Sequence, residues 1–473
     1  MDKHTVAIFV TFSGIFKIVI PICYSITKAF TTKKNDKMVS FFLPYLKLYV
    51  VLKFEFDIIR NFQFKQFAEV LTHAYKTIPF YCDRFNAAGI NPAKFSTAEQ
   101  LLGIPILSRA ELQKKGKALL SGNIPRSHGK TFEITTSGST GRPVTVISTN
   151  LESLIWKVLY LREHEWHDRD LSEKIAAIRH DKKYAAMPPH GLSSEVWGTP
   201  ERGTFKTGPA ALLNIRSSAA EQAAWLCSQN PGYLMSYPTN ILSLANHFIS
   251  EGKSLSGLLQ VRTVGEILGP EVRQACREAW NVPVVDMYSC QESGVIALQC
   301  PEHEHYHVQS ENLLIEVLNE RNQNCAPGET GKVVISTLHN FAMPLIRYEL
   351  GDYAEVGEPC SCGRGLPVLT KILGRQRNML IFPDGRKIWP AFGMNALSKE
   401  LPIKQFQFVQ KSLECIEARL VTEKPFSREE ETQFVNAIHR RLKHKFDIEI
   451  SYLENISRSK SGKFEDFISE VAN

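Results

Sequence analysis

The stretch TTSGSTGRPV, residues 135–144, decides how the rest of the chain is read. It comes after strand-like residues, Thr131–Thr135, and precedes a helical pattern, Glu152–Arg162. Gly138 and Gly141 let the backbone approach an anion closely. Thr135, Thr136, Ser137, Ser139 and Thr140 supply hydroxyls, and Arg142 adds positive charge. This is chemistry suited to phosphate. It is not a Walker-type loop, because the G-x-x-x-x-G-K-[ST] spacing is absent. A Ser/Thr/Gly loop by itself is commonly only a connection, so its meaning depends on its surroundings.

Around it, apolar runs alternate with helical patterns. The candidate strands are Thr131–Thr135, Ala176–Ile178, Val282–Met287, Leu313–Leu318 and Val333–Thr337. The candidate helices are Glu152–Arg162, Ala219–Gln229, Asn240–Ser250 and Pro270–Trp280. Such alternation predicts a layered α/β domain. Upstream, Phe64, Phe67, Leu71, Tyr75 and Ile78 mark one face of a helix that ends at Pro79, and 94–115 reads as loops and short helices. Beyond about residue 375 the pattern changes. A Pro383-Asp384-Gly385 turn predicts a hairpin, then come a short helix (Ala391–Lys399), strands Gln405–Gln410 and Cys415–Val421, a basic amphipathic helix, and a strand through Ile448, Ile450 and Tyr452. The expected organisation is an extension over 1–60, a large α/β domain over 61–374 and a small α+β domain over 375–473.

Composition narrows the function. With 43% hydrophobic and 22% charged residues the chain reads as an ordinary folded protein. Its net charge of +7 is spread out, and the short basic runs argue for solvated helix faces and anionic small molecules, not nucleic acid. Ten unevenly spaced cysteines fit a reducing, cytosolic compartment better than a disulfide framework. The N-terminus departs from this picture. Val6–Cys23 is nearly all apolar but holds Lys17 and Pro21. Each Ile, Phe or Val favours insertion by about 0.3–0.6 kcal/mol, whereas one central Lys opposes it by about 2.5–3.5 kcal/mol. Residues 6–23 are thus a borderline membrane anchor, and Lys28, Lys33, Lys34 and Lys37 would keep the rest of the chain on the cytoplasmic face. Phe41–Phe54, with Lys47 and Lys53, reads as an amphipathic helix.

The loop at 135–144 resembles the phosphate loop of the adenylate-forming superfamily, which includes acyl-CoA synthetases. Further strings match in order: TVGEIL (263–268), MYSCQESG (287–294), RYELGD (347–352), LGRQRNML (373–380) and SRSKSGK (457–463). RYELGD has Arg and Tyr exchanged and one residue more spacing than the family motif. LTHAYKTIPFYCDRF (71–85) and LLGIPILSRAEL (101–112) are similar to phenylacetate–CoA ligase-like and CapK-type proteins, so the resemblance covers about residues 62–473.

The resemblance implies an AMP-forming ligase that activates a carboxylic acid with ATP and passes it to a thiol. Glu292 would hold magnesium, an oxygen ligand for a hard cation. Asp352 would receive the ribose hydroxyls with help from Arg375. Tyr288 would stack on adenine beside the backbone of Gly265 and Glu266. Thr136, Ser137, Gly138, Ser139, Thr140 and Gly141 would cradle the phosphates. Lys463, next to Gly462, would reach from the small domain to the charge developing between carboxylate and α-phosphate, a reaction governed by positioning and electrostatics. Asn378 stands at the hinge position, where the family carries an acid.

Two further constellations stand out. Cys300, His303, His305 and His307, with Cys360 and Cys362 of EPCSCGRG, are suited to tetrahedral zinc. The preferred set is Cys300, His307, Cys360 and Cys362, in a structural role; free cysteines and solvent-facing histidines are the plain alternative. Met187–Trp197 and Ser236–Pro238 would line the acyl pocket, with His190, Trp197 and Tyr237 shaping it for an aromatic or medium-sized acid. CoA is the default acceptor. A carrier-protein thiol, or an amine or hydroxyl in polysaccharide or natural-product assembly, is the alternative. A catalytically weak nucleotide-binding protein is a third reading, opposed by the presence of both Glu292 and Lys463.

Overall fold

The structure, a computed structural model, describes residues 56–136, 143–181, 183–198, 206–390, 392, 401–459 and 462–471. The apolar segments at 6–23 and 41–54 lie outside them, and so does nearly all of the helix expected at 391–399. Among the described residues no helix is long and apolar enough to cross a membrane.

The three-to-four-residue spacing near the start produces α1 (Phe56–Thr77), whose Phe67, Leu71 and Ala74 are fully buried. Ile78 is forced into extended backbone by the proline after it, and Pro79 then opens α2 (Pro79–Ala87), where its missing N–H is not needed. The expected helix end is thus a corner between two helices. The short helices α3 (Ala98–Leu102) and α4 (Arg109–Lys115) come next.

The segment flanking the phosphate loop departs from expectation. β1 (Thr131–Thr135) pairs antiparallel with β2 (Thr145–Thr149), in register from Thr131↔Thr149 to Thr135↔Thr145. The loop therefore joins two strands of a ribbon, and α5 (Asn150–Trp166) starts only after the second. Val144, Val146 and Ser148 are buried while Thr145 is exposed, a period of two that marks a strand.

A twelve-stranded sheet forms the body of the large domain. Its strands are β3 (Ile175–Arg179), β4 (Leu192–Ser194), β5 (Ala210–Asn214), β6 (Tyr233–Ser236), β7 (Gln260–Val264), β8 (Val284–Cys290), β9 (Gly294–Gln299), β10 (Tyr306–Val308), β11 (Leu313–Leu318), β12 (Thr330–Thr337), β13 (Tyr348–Val356) and β14 (Val368–Arg375). Their order is β11-β12-β13-β14-β10-β9-β8-β7-β6-β3-β5-β4. The run β5-β3-β6-β7-β8 is parallel. It is linked by α6 (Ala219–Gln229), α7 (Pro238–Ser250) and α8 (Pro270–Trp280), and the core there includes Leu234, Val261, Leu244, Phe248 and Trp280. The other half is antiparallel and packs with Phe67, Leu71 and Tyr81 from the first two helices. β7 is buried along its whole length, as a central parallel strand must be, yet it carries Arg262. Glu163 of α5 explains this. Its carboxylate receives Arg169 Nη2 at 3.0 Å and Arg262 Nε at 2.9 Å. Burial opposes ionisation of Glu163, but Arg262 and Arg169 outweigh it and hold the carboxyl well below the usual range.

The small domain has β15 (Leu380–Ile381) and β16 (Lys387–Ile388) around the Pro-Asp-Gly turn. Then come β17 (Ile403–Gln410), β18 (Cys415–Thr422), α9 (Arg428–Leu442), β19 (Asp447–Tyr452) and β20 (Phe467–Ser469), in a sheet ordered β19-β18-β17-β20. It has its own core, with Phe408, Phe434, Ile438 and Phe467.

Glu163→Gln leaves two buried guanidiniums short of counter-charge. Removing one partner of such a network costs about 3–5 kcal/mol, expected here as a lower denaturant midpoint at unchanged slope; a change below about 0.5 kcal/mol would mean the network is surplus.

Candidate active site

The large and small domains meet outside the C-terminal ends of the parallel strands, where open α/β sheets bind ligands. Glu266, in the turn after β7, is the centre of that junction. Its side chain is only 4% exposed and accepts four contacts. Thr239 donates from its N–H at 3.1 Å and its Oγ1 at 2.7 Å, Phe464 N donates at 2.6 Å, and Arg458 Nη1 lies at 3.5 Å. Arg458 also donates to Thr239 Oγ1 and the Gly462 carbonyl. One carboxylate of the large domain thus pins the loop that carries Lys463. Burial raises the Glu266 pKa, with Arg458 opposing. Sequence reasoning assigned Glu266 only backbone contacts, since no local pattern reveals a partner some 200 residues away.

Lys463 lies against Gly265. A Cβ on Gly265 would stand 3.2 Å from Lys463 Cε, and the residue has φ +82°, so both the conformation and the lysine demand glycine. Gly462 is placed as tightly: at φ +79°, a Cβ would meet Ile215 Cγ2 at 2.9 Å and His180 Cβ at 3.0 Å. Burial lowers the Lys463 pKa, and Arg375 lowers it further, against Asp352 and Glu266.

Asp352 accepts from the Tyr288 hydroxyl at 2.9 Å and faces Arg375 Nε at 3.3 Å, the two residues being partners across β13 and β14. Arg347 adopts φ 48° and turns into the core, pairing with Glu316 at 2.8 Å and donating to the Leu102 and Ile104 carbonyls. Tyr348 is fully buried, with its hydroxyl accepting from Arg109. Arg109 also reaches Glu292 Oε1 at 3.1 Å and Thr136 Oγ1 at 3.3 Å. Thr136 anchors the base of the phosphate loop by exchanging bonds with Val144. Ser137, Gly138, Ser139, Thr140 and Gly141 lie outside the described residues. Asn378 joins the domains, accepting from Arg375 N at 3.3 Å and donating to the Phe467 carbonyl at 2.7 Å.

The acyl-pocket expectation divides. Tyr237 lies beside Gly265 and Gly462, with Arg179 over its ring at 6.0 Å. Trp197 does not join it. Its indole donates to the Glu173 carbonyl and packs on Ile175 and Tyr233, the first residues of β3 and β6, at the opposite ends of the strands. His190 is exposed, and its carbonyl is taken by the Trp225 indole. The residues that do face Gly462, His180 and Ile215, lie just past the C-terminal ends of β3 and β5. Strand direction decides this placement, and the aromatic content of a segment does not report it.

The cysteine–histidine constellation does assemble. Donor atoms of Cys300, His305, His307 and Cys360 lie within 4.8 Å of one another. Cys300 Sγ is 3.9 Å from Cys360 Sγ, and Cys362 Sγ is 3.3 Å from His307 Nε2. His305 Nε2 and His307 Nδ1 are buried without a hydrogen-bond partner among the described residues. His303 is exposed and bonds Ser361. The cluster and Glu292 are at opposite ends of β9.

The description "AMP-binding enzyme" belongs to the family whose pattern matches residues 107–343, half of the chain, and a CapK C-terminal domain pattern matches 380–470. The phenylacetate-coenzyme A ligase of Thermus thermophilus is 24% identical over 384 residues, covering 78% of this chain and 83% of that protein. Its Escherichia coli counterpart is 23% identical, covering 71% and 75%. Among solved structures, 2-hydroxyisobutyryl-CoA ligase in its postadenylation state aligns with a TM-score of 0.68 at 18% identity, covering 86% of this chain and 89% of that one. The same ligase in its thioesterification state aligns with a TM-score of 0.55, again at 18% identity, covering 86% and 88%. The chain belongs to the AMP-binding enzyme family and carries a small domain of the CapK C-terminal type.

Proposed function

We propose that the protein is an acid–thiol ligase: a carboxylate attacks the α-phosphate of ATP, giving an acyl-adenylate and pyrophosphate, and a thiol, CoA by default, then displaces AMP. The observation that carries this is Lys463, delivered from the small domain to Gly265 by the Glu266 latch. Attack joins two anions, so a cation held beside the reacting atoms lowers the barrier, more so away from water. Asp352 and Arg375 are set to receive the ribose, Tyr288 and the Gly265 turn the adenine, and Tyr237 with His180 and Ile215 the acid. Magnesium, when bound by Glu292, would supply charge to the phosphates, and a buried carboxylate oxygen fits it. The better match to the postadenylation neighbour favours a lysine-in arrangement. The CapK-type domain keeps a second acceptor in view, a carrier-protein thiol, an amine or a hydroxyl. Large and small domains would divide near 375–378, where Asn378 bonds both.

Zinc fits the second cluster. Two thiolates in a tetrahedron with 2.3 Å bonds stand about 3.8 Å apart, close to the separation seen, and two imidazole nitrogens lack partners. Cys300, His307 and Cys360 are common to the expected set and the assembled one; the structure adds His305 and puts Cys362 on His307. At the far end of β9 from Glu292 the ion would fasten the 300–307 hairpin to the 360–362 loop.

Pyrophosphate release should be stimulated by one member of a panel of aromatic, fatty and sugar-derived acids. Lys463→Ala should reduce that rate at least about 100-fold while ATP binding persists. No stimulation by any acid, with ATP still bound, would favour a nucleotide-binding role instead. Gly462→Ala, strained and crowded, should lose about tenfold or more of the same rate with stability of the large domain unchanged; a wild-type rate would show that Lys463 does not need this placement. For the metal, elemental analysis should find about one zinc per chain, released on unfolding, and a Cys300→Ser, Cys360→Ser double variant should bind none and melt earlier. A protein that purifies without zinc and takes up none when it is supplied would remove this assignment.

A further inference from the structure

LLGIPILSRAEL, residues 101–112, builds one wall of the site. Leu107 forms a parallel bridge to Tyr348, its N–H donating to the Arg347 carbonyl and its own carbonyl accepting from Glu349 N. This clamps the segment to β13. Ser108 then caps α4 through a capping box, its Oγ accepting from Glu111 N at 3.1 Å while Glu111 accepts from Ser108 N at 3.0 Å. Arg84 holds Glu111 from behind at 2.9 Å. The first residue of the helix, Arg109, is therefore fixed in place before its side chain reaches anything.

That side chain bridges the groups that should surround the triphosphate. Nη1 contacts Glu292 at 3.1 Å and the Tyr348 hydroxyl at 3.2 Å, and Nη2 contacts Thr136 at 3.3 Å. Arg109 Nε is buried and has no hydrogen-bond partner among the described residues. A guanidinium with its Nε donor unspent, between a carboxylate suited to a metal and the threonine at the base of the phosphate loop, is a phosphate-binding arrangement.

We propose that Arg109 binds the terminal phosphates of ATP and, before nucleotide arrives, stands on Glu292 as the counter-charge that a metal ion later supplies. This rests on the reading of the site as an ATP site. A buried carboxylate is costly unless paired, so the empty enzyme needs a cation on Glu292. A magnesium–triphosphate brings its own cation for Glu292 and leaves net negative charge on the phosphates. The guanidinium is then worth more on the phosphates than on Glu292, and one side chain serves both states.

Calorimetry of the full chain with magnesium–ATP and with AMP tests this, using Arg109→Met and Arg109→Lys. The methionine variant should bind ATP about 10–100-fold more weakly and AMP less than about twofold more weakly, because AMP lacks the phosphates in question. The lysine variant should recover part of the ATP affinity, having charge without the fork. Without nucleotide, Arg109→Met should bind magnesium more tightly than wild type, Glu292 having lost its competitor. ATP and AMP weakened equally would mean that Arg109 only supports the fold, and unchanged ATP affinity would remove the role outright. Wild-type protein that binds neither nucleotide would remove the ATP-site reading, and the inference with it.

Discussion

A carboxylate buried between two domains is the interaction on which the described arrangement depends. Glu266 could be satisfied within the large domain by Thr239 alone, but a buried charge with one partner is poorly compensated. Arg458 and the Phe464 N–H complete its shell, and both come from the small domain. Closing the domains and satisfying Glu266 are therefore one event. Lys463 is the residue immediately before Phe464, so the same event brings it to Gly265. Separating the domains would strip two donors from a carboxylate, which favours the arrangement seen.

The charges of the site are arranged in pairs that sit close to neutrality without ligand. Asp352 faces Arg375, Glu292 faces Arg109, and Glu266 faces Arg458. Each acid thus has a guanidinium beside it in the absence of any ligand. For the proposed adenylation, fixed charges of this kind are in place before the reaction begins.

Much of this is legible in the sequence, for reasons that differ by residue. Ala219–Gln229 and Pro270–Trp280 can be read to their ends because Ser218 and Pro270 are unambiguous start signals. The small domain is visible as a change in periodicity. The order of strings from 135 to 463 marks the residues found together in the site, although spacing alone says nothing of proximity. What stays hidden is mostly tertiary. The ribbon around the phosphate loop escapes the sequence reading because six residues of Gly, Ser, Thr and Arg mask the alternation that resumes at Val144. Trp197 looks like a pocket residue because aromatic side chains line pockets and cores alike, and only strand direction separates the two. Arg109 draws no notice because an arginine after a serine cap is ordinary helix surface until β13 is known to lie beside it.

Asn378 has a consequence for how the molecule responds to its medium. At the domain junction it bonds both sides through an amide, with no charge of its own. Amide bonds of this kind are nearly indifferent to ionic strength and to acidity, whereas the neighbouring Arg377–Glu465 pair, partly exposed, is screened as salt rises. The junction at Asn378 is thus electrically quiet while its surroundings are not. Rising salt would therefore weaken the Arg377–Glu465 contact and leave the two Asn378 bonds largely as they are.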